Sequence, residues 1–268
     1  LNGNYDISEK VGMTFIAGAN ARSDIFDRQG VASTGQIVYG IKRHFNYENQ
    51  LPIQFSQQRN IVGLLGQVSF DYDNMLFLNL NTRTDWVSNL VRENRALTYP
   101  GVSLSFLPTA AFKGLQSENG LNYLKLRAGY ATSANFPTGY PTVGVVEQNT
   151  QVYGEGGEIA NNQVDNFKAN PDLKPELLKE FEVGLESRFW QNRISLDFTY
   201  YDRRTDDLIV SQPLPPSTGF TLTQSNIGQI SNKGIEADLG IDIFRGGKDG
   251  FNWNSRVNFF ANEEVVEE

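Results

Sequence analysis

Long runs of alternating apolar and polar residues are the feature that most limits how this chain can fold. In 193–201 the apolar residues Ile194, Leu196 and Phe198 alternate with polar ones, and 235–243 and 181–189 repeat the pattern. Successive side chains of a β-strand point to opposite faces, so a period of two predicts strands with one apolar and one polar face. The same alternation occurs in four further segments: 68–72, 76–81, 124–130 and 256–262.

The pattern predicts an all-β chain of about ten strands, most of them roughly 9–12 residues long. Strands of soluble proteins run nearer five or six residues, whereas strands that cross a membrane run about 9–11. No segment shows a convincing helical period. These lengths favour antiparallel transmembrane β-barrel strands.

The predicted connections are of two kinds. Tight links fall at Asn74, at Gln191 and Asn192, and at 246–250. Longer links are predicted at 86–98, 132–178 and 211–221, with a link of medium length at 107–120. Following the strands in order places the tight links on one rim and the long loops on the other, which is how outer-membrane barrels are built.

Composition excludes several classes of protein. The formal net charge of −8 opposes binding to nucleic-acid phosphates, and the absence of Cys excludes disulfides and thiolate chemistry. A mean hydropathy of −0.40 excludes a helical membrane protein. Hydropathy does not test a membrane barrel, because only every second side chain of a barrel strand meets lipid.

A soluble β-sandwich is the alternative that alternation alone leaves open, since its sheets also have one polar face. Strand length and the asymmetry of the loops favour the barrel. Aromatic residues near the predicted strand ends, such as Tyr72, Phe77, Phe189, Trp190 and Trp253, are typical of girdles at the lipid boundaries. Ordinary hairpin packing would explain the same placement.

The sequence gives little support for catalysis. His44 is the only histidine and is predicted to lie at a strand end. Acidic residues with a period of two, as in Glu180 and Glu182, indicate a solvated strand face rather than a catalytic pair. We therefore expect no enzyme activity, no catalytic residue, no metal and no cofactor. Two acidic groups are weak calcium candidates without EF-hand spacing: Asp71, Asp73 and Asn74, and Asp202, Asp206 and Asp207.

The long link at 132–178 is rich in Asn, Gln, Gly and Tyr. Planar amides and aromatic rings are the groups that recognise sugars or peptides, through hydrogen bonds and stacking. The alternative is a solvated loop that touches only a partner protein. The candidate substrate contacts are Trp86, Tyr140, Tyr153, Asn161, Asn162 and Gln163.

Several motifs carry a resemblance to a known family. The segment from Asn170, NPDLKPELLKEFEVGLESRFWQNRISLDFTYYDRRTDDLI, resembles the late-barrel signature of TonB-dependent outer-membrane transporters. The segment NIGQISNKGIEADLGIDI (226–243) is similar to the strand that follows in that family. Upstream, LLGQVSFDYDNMLFLNLNTRTDW (64–86) and YPGVSLSF (99–106) resemble the SusC/RagA branch.

The resemblance implies a 22-stranded barrel in the bacterial outer membrane, closed by a plug and energised by TonB. It also implies import of oligosaccharide or oligopeptide fragments together with a SusD-like surface lipoprotein. Residues 1–268 are then expected to form a partial barrel domain without plug or signal peptide. The partners implied are the lipoprotein, TonB through regions absent here, the glycan or peptide, and outer-membrane lipid. The alternative function is that of a soluble secreted β-sandwich or lectin-like binding module.

Overall fold

The computed structural model describes residues 1–152, 158–246 and 250–267. Within these ranges the chain forms fifteen strands and one short helix, α1 (Pro108–Ala111). The strands are β1 (Asn2–Ser8), β2 (Val11–Gln36), β3 (Tyr47–Tyr72), β4 (Leu76–Val87), β5 (Ala96–Phe106), β6 (Leu121–Asn135), β7 (Val146–Val152), β8 (Glu158–Val164), β9 (Phe167–Lys168), β10 (Glu176–Phe189), β11 (Ile194–Asp206), β12 (Ile209–Pro213), β13 (Leu222–Asn226), β14 (Gln229–Arg245) and β15 (Asn252–Glu267).

Ten of these strands make one large antiparallel sheet in the order β1-β2-β3-β4-β5-β6-β10-β11-β14-β15. Each strand pairs with the next large strand along the chain, so the sheet is a continuous meander. The remaining strands lie in the loops, where β12-β13-β9 and β7-β8 form two small sheets. The predicted all-β fold of about ten antiparallel barrel strands is confirmed.

The two faces of the large sheet have opposite polarity. Phe106, Leu126, Leu185 and Phe198 lie side by side in the register of neighbouring strands, and Leu126 is 42% exposed. Charged and other polar residues occupy most of the alternate positions on the opposite face, where Phe77 and Phe260 are apolar exceptions. Among the described residues no second sheet packs against the apolar face. The sheet is thus a single antiparallel meander with an exposed apolar face, an arrangement typical of a barrel wall rather than of a sandwich. We call the apolar face the outer face.

Aromatic residues border the apolar band on the outer face. Tyr130 and Phe181 are register partners near one border, and Phe189 lies near the other. The eight positions between Phe181 and Phe189 correspond to about 26 Å along the strand, or about 20 Å after a tilt of about 40°. That height is of the same order as the roughly 25 Å apolar band of outer-membrane barrels.

The loops differ in length between the two rims. One rim has the links 9–10, 73–75, 107–120, 190–193 and 246–251, and the other has 37–46, 88–95, 136–175 and 207–228. The predicted asymmetry is therefore present, with mostly short turns below the band and longer loops above it, although the link 107–120 is longer than the loops 37–46 and 88–95. Some predicted boundaries were wrong, because β4 continues through Trp86 to Val87 and β6 continues to Asn135.

Strand length also departs from the prediction, since β2 and β3 have 26 residues each. Their outer faces become mostly polar from the pair Ser23 and Asn60 upward, with Ile25 and Val31 as exceptions, while the ladder continues to Gln36 and Tyr47. Backbone pairing does not need apolar side chains. The apolar–polar alternation therefore weakens above the lipid band, whereas the two strands continue beyond it. The upper part, residues 23–36 and 47–60, extends roughly 45 Å along the strand at about 3.3 Å per residue. We call it the β2–β3 arm.

In the part of the chain that the structure describes, helical structure comprises α1 and 3-10 turns at His44–Asn46, Lys113–Leu115 and Pro216–Thr218. Within the described ranges, no helix has the length and apolar character needed to cross a membrane.

Candidate functional site

A small core lies beneath the loops on the long-loop rim. Val87, Leu90 and Leu173 are buried there, and Asn89 beside them is fully buried. The Asn89 amide nitrogen donates hydrogen bonds to the carbonyl oxygens of Pro137 (2.6 Å) and Gly139 (2.8 Å). Unpaired carbonyls would be costly in such a place, so Asn89 fixes the start of the long loop over the sheet.

The Asn170–Glu176 motif attaches the end of the same loop. The Asn170 side chain donates to the Gln224 carbonyl oxygen (2.8 Å). The buried Glu176 carboxylate accepts hydrogen bonds from the Asn135 side chain (2.6 Å) and from the Ile209 backbone N–H (2.7 Å). Glu176 thereby joins the tops of β10, β6 and β12, as expected for a residue at the rim where the ladder begins.

A cavity of about 570 Å³ opens between the β2–β3 arm and this loop. Its walls are largely apolar, with a few amide groups and a single carboxylate. It is lined by Phe55, Ser56, Gln57, Gln58, Thr138, Tyr140, Pro141, Val143, Val145, Asp165, Phe167 and Gln224. Its size and its convergent polar groups are those of a small-ligand site. We call it the rim pocket.

Tyr140 holds the rim pocket against the arm. Its hydroxyl donates to the Gln58 carbonyl oxygen and lies 3.0 Å from the Ser88 hydroxyl oxygen. Ser88 in turn exchanges hydrogen bonds with Asn60, through the Ser88 N–H to the Asn60 oxygen (2.9 Å) and the Asn60 N–H to the Ser88 Oγ (3.0 Å). The loop and the arm are therefore joined at the base of the pocket.

The structure describes four of the six predicted substrate contacts with their side chains, and only one of these four lines the rim pocket. Tyr140 lines the rim pocket, whereas Trp86 is half-buried on the outer face beside Val62. Asn162 and Gln163 are exposed on β8. Asn161 lies on β8, with its side chain outside the described part, and Tyr153 lies outside the described residues.

Sequence reasoning missed most of the pocket. Phe55 and Phe167 line opposite sides of it, more than a hundred positions apart in the chain. The alternating pattern predicts the face on which each side chain lies. It does not predict that the β2–β3 arm and a loop distant in sequence lie next to each other. The available signal was Phe55 itself, an aromatic residue in the otherwise polar run 54–60.

The inner face of the sheet carries a charged network centred on Arg127. Its guanidinium contacts Asp197 (2.7 Å) and Glu182 (3.3 Å) and donates to the Thr199 hydroxyl. Gly184 makes room for it, because a Cβ there would lie 2.7 Å from the Arg127 Nε. The face that was predicted to be acidic and solvated is thus a polar wall, in which Arg127 of β6 links acidic residues of β10 and β11.

A second network lies higher on the inner face. Arg83 donates to both carboxylate oxygens of the buried Asp85 (3.0 and 2.9 Å) and to Asn20 (3.0 Å), and the Tyr99 hydroxyl donates to Asp85. On the arm above, hydrogen bonds from the guanidinium groups of Arg22 and Arg59 lower the pKa of Asp24. Fixed ion pairs of this kind suit a water-filled lumen rather than a catalytic pocket.

His44 lies exposed at the tip of the arm, with its Nδ1 atom 2.9 Å from the Ser33 hydroxyl oxygen. No carboxylate hydrogen-bonds its ring among the described residues, so the pair lacks the acid of a catalytic triad. The acidic groups considered for calcium contact basic residues instead, Asp73 with Lys10 (3.7 Å) and Asp206 with Lys179 (2.6 Å). Within the described ranges no three potential metal ligands cluster.

An apolar outer band, a charged inner face and loops of unequal length define the wall of an outer-membrane β-barrel. Residues 2–264 match the family described as TonB dependent receptor-like, beta-barrel. The chain belongs to this family, whose barrels lie in the bacterial outer membrane.

Its relatives agree with the SusC/RagA resemblance. The chain is 27% identical over 215 residues to TonB-dependent receptor P3 of Formosa agariphila, covering 80% of this chain and 21% of the relative. It is 28% identical over 193 residues to TonB-dependent receptor SusC of Bacteroides thetaiotaomicron, covering 69% of this chain and 19% of SusC. The chain therefore spans about a fifth of the length of these curated relatives.

Solved structures show the same fold. The RagAB peptide importer in its open-open state matches with a TM-score of 0.83 and 23% identity, over all of this chain and 29% of that one. The outer membrane transporter YddB from Escherichia coli matches with a TM-score of 0.62 and 12% identity, over 98% of this chain and 32% of YddB.

Proposed function

We propose that the protein containing this chain imports oligosaccharide or oligopeptide fragments across the outer membrane in a TonB-dependent manner, together with a SusD-like surface lipoprotein. The observation that carries the proposal is the polarity of the ten-stranded sheet, apolar towards lipid and ionised towards a lumen. Membership in the TonB-dependent family and likeness to SusC and RagAB support it.

In this function the strands form part of the pore wall, and no bond is broken in the cargo. TonB would supply the energy through parts of the protein outside residues 1–268. The long-loop rim would meet cargo and lipoprotein outside the cell, and the outer band would contact outer-membrane lipid. Tyr140 is the predicted contact that lines a pocket at that rim. The roles of Trp86, Tyr153, Asn161, Asn162 and Gln163 stay predictions.

Uptake by whole cells tests the proposal. Cells producing the full-length protein are given fluorescent oligosaccharides or oligopeptides, with TonB present or deleted. We expect uptake of one of the two classes, abolished in cells without TonB and in cells without the protein. Uptake that continues without TonB would contradict the proposed mechanism.

The partnership has its own measurement. The full-length protein, carrying an affinity tag, is extracted from the outer membrane in mild detergent. We expect a surface lipoprotein to be recovered with it in near-equal amount. Recovery of the protein alone, under conditions that keep other outer-membrane complexes intact, would contradict the partnership.

A further inference from the structure

In the described part of the chain no further strand covers either outer edge of the β2–β3 arm, since β1 pairs with β2 only up to Ile16. The edge on β3 is the one that borders the rim pocket. β3 pairs with β2 over its whole length, but its pairing with β4 stops at Ile61 and Val87. From Asn60 upward, the edge of β3 away from β2 meets only the loop residues Ser88 and Tyr140 in the described part of the chain.

The existing hydrogen bonds show which residues point to this edge. Asn60 uses both its N–H and its C=O towards Ser88, and Gln58 accepts from Tyr140 on the same side. In an antiparallel strand, residues alternate between the two edges. Ser56 and Gln54 therefore also present their N–H and C=O groups to the open edge.

Pro52 sets the upper limit of this edge. It lies in β3 opposite Val31. Pro52 is the next alternate residue after Gln54, so its nitrogen also faces the open edge. Proline has no N–H and is tolerated in a sheet where its nitrogen faces outward on an edge strand. The usable edge therefore runs from the Pro52 C=O to the Gln58 N–H, because the Gln58 C=O already accepts from Tyr140, and this length suits a strand of about five residues.

The rim pocket lies along the same stretch, because Phe55, Ser56, Gln57 and Gln58 form one of its walls. Phe55 is 45% exposed, and Val143 and Val145 across the pocket are 53% and 52% exposed. Branched aliphatic side chains match apolar side chains better than the hydroxylated faces of sugars. The pocket thus supplies an apolar contact beside an open backbone edge.

Two side chains of the pocket, those of Asp165 and Gln224, carry acceptor oxygens, and one of them, Asp165, already accepts a hydrogen bond from the Phe167 N–H (3.2 Å). Asp165 is its one ionised residue and has no ion-pair partner among the described residues. The side-chain oxygen of Gln224 is buried without a hydrogen-bond partner in the same part of the chain. A ligand that brings a positive charge complements the Asp165 carboxylate, whereas the Gln224 oxygen is shielded from the cavity.

We propose that the open edge of β3 between Pro52 and Gln58 binds a short extended peptide as an added strand, with one apolar side chain in the rim pocket. The inference rests on the proposed import function and narrows its cargo to peptides. Main-chain hydrogen bonds would provide affinity, and the pocket would select the side chain, as in other cases of strand addition.

Backbone methylation of the ligand tests the pairing. The probe is a five-residue peptide of alternating Leu and Thr with a free amino terminus and a fluorophore at its C-terminal end. Its binding to the purified full-length protein is measured by fluorescence anisotropy. Two N-methylated versions are compared, one at residues 2 and 4 and the other at residues 3 and 5. Because alternate N–H groups face β3, one version should bind at least about tenfold more weakly and the other within about threefold of the parent. Equal binding of all three would overturn the proposal.

A protein variant tests the location. Ser56→Pro removes an N–H from the open edge without removing one from the β2 ladder, and should weaken binding about tenfold. Ser56→Ala, the matched control, keeps that N–H and loses only the side-chain hydrogen bond to Asp27, so it should weaken binding much less than Ser56→Pro does. If Ser56→Pro does not fold, Phe55→Ser tests the pocket instead. Unchanged binding in these variants would overturn the proposed site.

The chain's own loop is the competing occupant. If residues 147–161 cover the edge, the intact protein will not bind the peptide and deletion of that segment will expose binding, which overturns the proposal. Failure of the proposed import function gives a different result from failure of the β3 site. Uptake would then not depend on TonB, while the purified protein would still discriminate between the methylated peptides. Conversely, TonB-dependent uptake without that discrimination would reject only the β3 site.

Discussion

At the scale of single residues, Arg127 is the centre of the inner wall. Replacing Arg127 with Gln leaves Asp197 and Glu182 without their shared cation. All three side chains are partly solvated, so we expect the free energy of unfolding to fall by only about 1 kcal/mol. The unfolding midpoint of the full-length barrel in detergent measures this.

Arg256→Gln is the control for the Arg127 variant. Arg256 contacts one carboxylate, that of Asp238 at 2.7 Å, and its side chain is 71% exposed. Its replacement should leave the midpoint almost unchanged. Equal effects from the two variants would show that the three-strand network around Arg127 adds no stability.

Asn89 offers a contrasting case, because it is buried. Asn89→Ala deprives the Pro137 and Gly139 carbonyls of their donor, and we expect a local cost of about 2 kcal/mol. The loop 136–175 should then be cut faster in limited proteolysis of the folded protein. Asn94→Ala, which removes one longer bond to the Leu173 oxygen (3.2 Å), should accelerate cleavage less. Comparable rates in both variants would contradict the role of Asn89.

Sequence predicted residues unevenly at this scale. The alternation in 124–130 and 181–189 placed Arg127 and Glu182 on the polar face of their strands, because the position of a residue in an alternating strand determines the face on which its side chain lies. It did not reveal Asn89, whose partners lie about fifty positions away in a loop. An amide that bonds to distant carbonyls leaves no periodic signal.

At the scale of elements, the tight turns are set by left-handed backbone positions. Asp73 and Asn74 connect β3 to β4 with φ values of 49° and 53°. Asn tolerates this conformation, whereas a β-branched residue is strained there. Asn74→Val should therefore lower the free energy of unfolding by about 1–2 kcal/mol, and Asn74→Gly should change it by less than about 0.5 kcal/mol. Denaturant titration of both variants measures this, and a stable Val variant would contradict the turn geometry.

Sequence located the turns and the strands within lipid well, and the loops less well. Asn74 and Asn192 were recognisable because turn residues interrupt a clear alternation. The β2–β3 arm was not, since water on both faces removes the need for alternation while the hydrogen-bonded ladder continues. The small strands β7, β8, β9, β12 and β13 escaped prediction for the same reason.

At the scale of the whole molecule, the inverted polarity joins the fold to the function. A soluble sheet hides its apolar face against another layer, whereas this sheet leaves Leu104 43% exposed on its outer face. Lipid is the medium in which such a face is stable, and the inner face then surrounds water. The long loops stand on one side of the band, so the sheet has a direction across the membrane.

The last prediction tests that orientation with two neighbouring residues of β5. Leu104→Lys places a charge in the lipid band and should weaken folding of the full-length barrel into phospholipid vesicles by about 2–4 kcal/mol. Ser103→Lys places the same charge one residue away on the inner face, opposite Gly129, where water solvates it and little change is expected. Folding free energies of the two variants are compared by denaturant titration in vesicles. If Ser103→Lys were the more disruptive change, the inner and outer faces would have to be exchanged, and the lumen would lie on the other side of the sheet.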